Sequence, residues 1–261
     1  MIVIGVQFNI AWEDRAENIR RVRGLLKGRD VVPGGLLVLP EMFSTGFSMN
    51  VEVVREPVPS SVEAELRCLA SEFKVAVLGG VVSSGPGGLP RNEAVAFSPQ
   101  GGLLTRYAKQ QPFSPAGEAK LFEAGERSQV FDWAGLRIAP FVCYDLRFPE
   151  LFREAVDLGA ELLVVIANWP SRRASHWVAL LRARAIENQA YVLGVNRCGS
   201  DPQFPYPGRS LLVDPQGEIV ADAGEGESLV QGEVDLAVVR TWREQFPALR
   251  DRGCKRAGFA R

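Results

Sequence analysis

Two hydrophobic periods alternate along the chain, one of buried strands and one of amphipathic helices. Residues 2–9 are almost continuously apolar and read as a buried strand, and the segment after them carries Ile19, Val22, Leu25 and Leu26 at helical spacing. Pro33-Gly34-Gly35 ends that helix, and residues 36–40 form a second short apolar run. Ser60 and Glu63 have capping-box spacing ahead of Val62, Leu66, Leu69, Ala70 and Phe73, which predicts a helix with one apolar face. Strands are expected over 76–82, 93–98 and 103–108. The last two flank Pro99-Gln100-Gly101-Gly102, a hairpin turn, and a glycine- and proline-rich loop covers 83–90.

The second half repeats the theme. Residues 129–133 and 136–142 are expected to pair across Ala134-Gly135, and Leu151, Phe152, Ala155 and Val156 mark a short helix that opens near Pro149 and closes at Gly159. Residues 161–168 are a continuous apolar strand buried on both faces. Ser175 is the expected N-cap of a long helix reaching Gln189, and strands are expected at 191–196, 209–213, 218–221 and 228–234. A helical pattern over 236–249 precedes a tail from about residue 250. Strand and helix alternate throughout, which predicts an α/β fold in one domain over residues 1–261.

Three residues capable of chemistry leave strand ends. Glu41 follows the run at 36–40, Lys109 follows 103–108, and Cys143 follows 136–142. Ligand sites in open α/β sheets gather outside the carboxyl ends of strands. Taken singly, Glu41 is a loop acid, Lys109 a surface charge and Cys143 a small core residue. Taken together, they are a base, an oxyanion donor and a nucleophile. The apolar surroundings of Glu41 (Met42, Phe43, Phe47) are expected to raise its pKa, and a helix opening near Pro149 is expected to favour the Cys143 thiolate. Cys143 would attack an amide or nitrile carbon, with the N–H of Tyr144 joining Lys109 at the oxyanion.

Composition narrows the partners. Formal net charge is −1 and the arginines alternate with acids, which excludes a nucleic-acid surface, and no apolar run is long enough for a spanning helix. With no basic segment ahead of the first strand, a cytoplasmic protein is expected. The four cysteines form no Cys-x-x-Cys pair, so neither a metal site nor a cofactor is expected. The one histidine, His176, falls in the first turn of a helix, where a structural hydrogen bond is expected; a carboxylate must then serve as base.

Pro-Glu41-Met-Phe, Tyr-Ala-Lys109 and Val-Cys143-Tyr-Asp-Leu-Arg-Phe-Pro-Glu resemble the three signature blocks of the nitrilase, or carbon–nitrogen hydrolase, superfamily. Residues 183–192, Asn196-Arg197 and Gly208-Arg-Ser210 are similar to it too. The resemblance implies a four-layer αββα sandwich, a Glu41–Lys109–Cys143 triad, a supporting glutamate at Glu118, no cofactor and a homodimer. Ala167-Asn-Trp-Pro170 and the block at 183–192 look most like the omega-amidase branch, which hydrolyses 2-oxoglutaramate and similar amides of α-keto acids. Gln111 stands where that pattern commonly has histidine. Substrate contacts are expected from Phe113, Tyr144, Arg147, Trp169 and Arg172, with Arg173 beside it; a forked guanidinium suits a substrate carboxylate. The alternatives are another activity of the superfamily, on a carbamoyl compound, a nitrile or a deaminated peptide amide, and a non-catalytic thiol sensor.

Overall fold

A computed structural model describes residues 1–252. The chain enters as β1 (Ile2–Gln7), turns through α1 (Arg15–Leu26) into β2 (Leu36–Val38), and passes a single helical turn, α2 (Val51–Val54), to reach α3 (Ser61–Phe73). Ser60 caps α3 as the spacing predicts, its hydroxyl accepting the Glu63 N–H at 3.1 Å. β3 (Ala76–Ser84), β4 (Pro90–Phe97) and β5 (Leu103–Ala108) complete the first half. After the short helix α4 (Glu118–Leu121) come β6 (Phe131–Trp133), β7 (Leu136–Val142), α5 (Pro149–Asp157), β8 (Leu162–Ala167), α6 (Ala174–Asn188) and β9 (Tyr191–Asn196). A two-stranded ribbon, β10 (Cys198–Ser200) with β11 (Pro205–Pro207), precedes β12 (Leu211–Val213), β13 (Ile219–Asp222), β14 (Ser228–Glu233) and α7 (Leu236–Gln245).

Two six-stranded sheets result, ordered β14-β1-β2-β3-β4-β5 and β13-β12-β9-β8-β7-β6. β1, β2 and β3 are parallel, as are β7, β8 and β9. β5 returns antiparallel to β4, which is antiparallel to β3, so β2 and β5 end at the same edge of their sheet. Strand alternation divides the first sheet's core. Ile4, Val6, Leu37, Val77 and Phe97 pack outward with Val22, Leu66 and Leu69 of α1 and α3, whereas Val3, Val38, Leu78 and Ala96 face the second sheet. The sheets approach closely at Gly5, where a Cβ would lie 2.6 Å from Val195 Cγ2. α5 and α6 cover the far face of the second sheet through Phe152, Trp177 and Leu181, which makes the expected αββα sandwich.

Several boundaries differ from the sequence reading. α6 has Arg173 at its N-cap, and Ser175 lies inside the first turn; the helix is entered from a 3-10 turn, Ser171–Arg173, that already sets its direction. α7 stops at Gln245 because Pro247 cannot continue it. The β10–β11 ribbon was not expected at all. The tail beyond residue 252 lies outside the described residues. Among the described residues no helix is long and apolar enough to cross a membrane.

Candidate active site

Glu41, Lys109, Glu118 and Cys143 converge where the two sheets meet at their strand ends. The chain leaves β2 through Leu39 and Pro40, with Leu39 N–H donating to Leu78 at 2.8 Å, and delivers Glu41 fully buried against β3. That approach needs Gly80, since a Cβ there would sit 2.4 Å from Met42 N and 2.6 Å from Glu41 Cα. Lys109 continues β5, held by its N–H on the Asn92 carbonyl at 2.8 Å, and is buried with its ammonium inward. Nζ donates to Glu41 Oε1 at 3.0 Å and to Glu118 Oε2 at 2.8 Å. Glu118 opens α4 and also accepts the Phe113 N–H at 2.5 Å.

Cys143 begins a 3-10 turn, Cys143–Arg147, with φ +47°, a left-handed conformation costing about 1–2 kcal/mol in a non-glycine residue. Asp145 holds it there. Its buried carboxylate accepts Val142 N–H at 2.9 Å, the Tyr107 hydroxyl at 2.8 Å and Gln111 N–H at 2.9 Å, so one side chain ties the cysteine's turn to the loop that follows Lys109. Gln111 thus enters the site through its main chain. The buried Arg184 of α6 adds a bond to the Leu146 carbonyl at 2.7 Å. Burial pushes the Asp145 carboxyl up to about 7 against these donors.

The electrostatics differ from the sequence reading in two respects. Burial alone would raise Glu41, but the Lys109 charge and the hydrogen bonds of Lys109, Asn92 and the Asn168 N–H outweigh it, so Glu41 lies below its ordinary value. Cys143 is raised, first by burial and then by the Glu41 charge, with Lys109 opposing. The thiol is therefore neutral at rest beside an ionised carboxylate, and α5 begins six residues downstream of the cysteine, after the intervening 3-10 turn. Sγ makes a long contact, 3.9 Å, with the Asn168 carbonyl. Burial lowers Lys109, but Glu118 and Glu41 more than reverse this and keep it cationic.

A cavity of about 570 Å³ opens over Cys143, a size ordinary for a small-molecule site. Phe113, Tyr144, Arg147, Trp169 and Arg172 all line it, and Arg173 with them. Each guanidinium stacks on a ring: Arg147 on Trp169 at 4.8 Å, Arg172 on Phe204 at 4.6 Å, Arg173 on Phe113 at 5.4 Å. None of the three forms an ion pair among the described residues, and Arg147 Nη2 meets His176 Nδ1 at 3.2 Å. Burial lowers the Arg173 pKa, and the charges of Arg172 and Arg147 add to the effect. The cavity's carboxylates are engaged locally: Asp201 accepts the N–H groups of Gln203 and Phe204 at 2.7 Å, and Glu13 accepts the Ser48 hydroxyl at 2.5 Å. The cavity lining thus carries three guanidiniums without an ion-pair partner among the described residues, against two carboxylates that are bonded locally. Sequence reasoning missed Asn92, Asn168, Tyr107 and Asp145 as parts of this site, and Phe204 of the ribbon.

The family model for carbon-nitrogen hydrolase matches residues 5–244. A relative from Yersinia enterocolitica, described as omega-amidase YafV, is 40% identical, the match covering 94% of each chain. A 2-oxoglutaramate amidase of Bacillus subtilis is 32% identical over 94% of this chain and 95% of its own. Among solved structures, a CN-hydrolase superfamily protein from Xanthomonas campestris with an arsenic adduct in its active site superposes with TM-score 0.91, at 34% identity over 99% of both chains. Nit3 of Saccharomyces cerevisiae superposes with TM-score 0.86, at 28% identity over 97% of both.

Proposed function

The chain belongs to the carbon–nitrogen hydrolase family, and from that premise we propose that it is an omega-amidase, releasing ammonia from 2-oxoglutaramate or a similar amide of an α-keto acid. The observation that carries the substrate class is the cationic lining of the cavity that holds the thiol, where Arg147, Arg172 and Arg173 stack on rings and leave their forked donors without a protein carboxylate among the described residues. A small substrate with a carboxylate at one end and an amide at the other would anchor its charge there and present the amide carbon to Cys143.

The chemistry then follows from the neighbours of the thiol. Cys143 Sγ attacks the amide carbon while its proton passes to Glu41, already ionised at rest. Negative charge develops on the amide oxygen, where Lys109 and the N–H of Tyr144 receive it; one well-placed donor of this kind contributes about 3–4 kcal/mol. Glu41 returns the proton to the leaving nitrogen, ammonia departs, and a thioester remains. Water, deprotonated by Glu41, attacks the thioester carbon, the carboxylic acid leaves, and the thiol regains its proton. Glu118 holds the lysine ammonium in place through its 2.8 Å bond. Tyr144, Trp169 and Phe113 form the walls around the acyl chain. A single catalytic domain, working as a cytoplasmic homodimer, completes this reading.

The test is ammonia release from 2-oxoglutaramate by the purified protein, set against a panel of uncharged amides, carbamoyl compounds and nitriles. Turnover is expected to favour the carboxylate-bearing amide, and Cys143→Ala is expected to abolish it without changing the thermal unfolding midpoint. Normal turnover in Cys143→Ala overturns the nucleophile, and preference for an uncharged substrate overturns the substrate class.

A further inference from the structure

Asn92 sits inside β4, flanked by β3 and β5, and its side chain is buried in the carboxylate cluster. Its Nδ2 donates to Glu41 Oε1 at 2.8 Å and to Glu118 Oε1 at 2.9 Å. Its main-chain carbonyl accepts the N–H of Lys109 at 2.8 Å, so this one residue touches all three charged members of the site. The amide's own Oδ1 is buried without a partner among the described residues. An orphaned buried acceptor is costly, and Asn168, the other amide bonded to Glu41, leaves its Oδ1 without a partner in the same way, so both amides spend their donors on carboxylate at a cost that calls for a reason.

The reason lies in the charge count. Lys109 Nζ reaches both Glu41 and Glu118, so two carboxylates share one ammonium. Around Glu41 the facing groups are Lys109 from the end of β5, Glu118 from α4, Cys143 from the turn after β7 and the Asn168 N–H from the end of β8; only Lys109 is cationic. Two anions around one cation, away from water, favour uptake of a proton by one carboxyl group. A proton on Glu41 removes the base. An aspartate at position 92 would add a third anion, and a second lysine would bind Glu41 too firmly for it to accept the thiol proton. An amide turned with its nitrogen inward supplies one neutral donor to each carboxylate, at the expense of its own oxygen.

We propose that Asn92 is a positioning residue that keeps Glu41 ionised beside Glu118 around the single ammonium of Lys109. The proposal rests on the reading of Glu41 as the base. The lowered pKa of Glu41 agrees in direction, with burial opposing and the Asn92 hydrogen bond among the groups that outweigh it.

Asn92→Leu keeps the branched shape at a somewhat larger volume and removes both donors, and Asn92→Ser keeps one. Two pH profiles are measured for the wild type and both variants: kcat/KM for amide hydrolysis, and the rate of Cys143 alkylation by iodoacetamide, which needs no substrate. Both contain an acid inflection where Glu41 gains its proton, because well below the thiol's own ionisation it reacts only as the ionised carboxylate takes its proton. In Asn92→Leu that inflection is expected to move up by about one pH unit in both profiles, with KM on the plateau unchanged, and Asn92→Ser should shift less. Rates that fall uniformly with the inflection unmoved overturn the proposal and assign Asn92 to packing. Should the leucine variant fail to fold, the serine variant decides by the same inflection. Absence of amide turnover in the wild type would count against the omega-amidase reading alone, since the alkylation profile still decides the role of Asn92.

Discussion

Asn168 holds Glu41 at three points across the gap between the two sheets. Its N–H donates to Glu41 Oε2 at 2.9 Å, and its Nδ2 reaches the same oxygen at 3.2 Å and the Glu41 carbonyl at 2.7 Å. The residue whose carbonyl contacts the thiol therefore also orients the carboxylate that would take the thiol's proton. Asn168→Ala keeps the main-chain bond and loses both side-chain bonds, leaving the carboxylate free to rotate about its remaining partners. We expect kcat to fall about 10- to 100-fold with KM little changed, because a misplacement of this scale acts on the reacting geometry and not on substrate anchoring. Steady-state kinetics on folded protein check this; a rise in KM at constant kcat would move Asn168 to substrate binding.

The acidities of the pair lead to a prediction in which reactivity and turnover part company. Cys143 is raised by burial first and by the Glu41 charge second. Replacing Glu41 with glutamine removes that charge and leaves Lys109 in place. The thiol should then ionise more readily, its midpoint falling by about one pH unit, while amide turnover drops by at least about 100-fold for want of a base. Thiolate absorbance across pH reads the midpoint. In the wild type Glu41 lies below its ordinary value of 4.5, so it is ionised above that range and protonates only as pH falls through a lower value. The Glu41 limb of the wild-type kcat/KM profile should accordingly lie below about pH 5, apart from any inflection of Asp145 near 7. A thiol midpoint that rises in Glu41→Gln would contradict the arrangement.

Glu41 and Cys143 were legible because each is the first chemically able residue after an apolar run, and Lys109 because it ends the second strand of a hairpin marked by its turn. Their supports were not. Asn92 falls just ahead of the strand expected at 93–98, which in fact begins at Pro90, and its partners Glu41 and Glu118 are 51 and 26 residues away. Asn168 and Glu41 are 127 residues apart and meet only when the sheets stack. The thiol's resting state was misread for the same reason: a nearby helix start is visible in the sequence, whereas the two carboxylates that surround the sulfur come from distant segments. The ribbon at 198–207 is short, rich in proline and glycine, and held by the buried Arg197 through the Ile10 and Ser200 carbonyls, so no local pattern announces it.

That ribbon supplies the last prediction. Arg172 has no ion-pair partner among the described residues, and its guanidinium lies 4.6 Å over the Phe204 ring, which places a long, otherwise mobile cation on the cavity wall. Phe204 is itself fixed, since the Asp201 carboxylate accepts its N–H at 2.7 Å and binds the Tyr206 hydroxyl from the opposite strand. If Arg172 anchors a substrate carboxylate, removing the ring should leave the charge present but undirected. Phe204→Ala is expected to raise KM for a carboxylate-bearing amide about 5- to 20-fold, in line with the ~1–2 kcal/mol of a partly desolvated cation–π contact, and to change kcat by no more than about twofold. Phe204→Tyr should restore the wild-type KM, and an uncharged amide should be indifferent to both substitutions. Arg172→Ala combined with Phe204→Ala should cost no more than Arg172→Ala alone, because the ring acts only through the arginine it carries. Additive losses, or an equal loss on the uncharged amide, would show that Phe204 shapes the cavity directly and that the carboxylate is held elsewhere on the wall, with Arg147 and Arg173 as the next side chains to truncate.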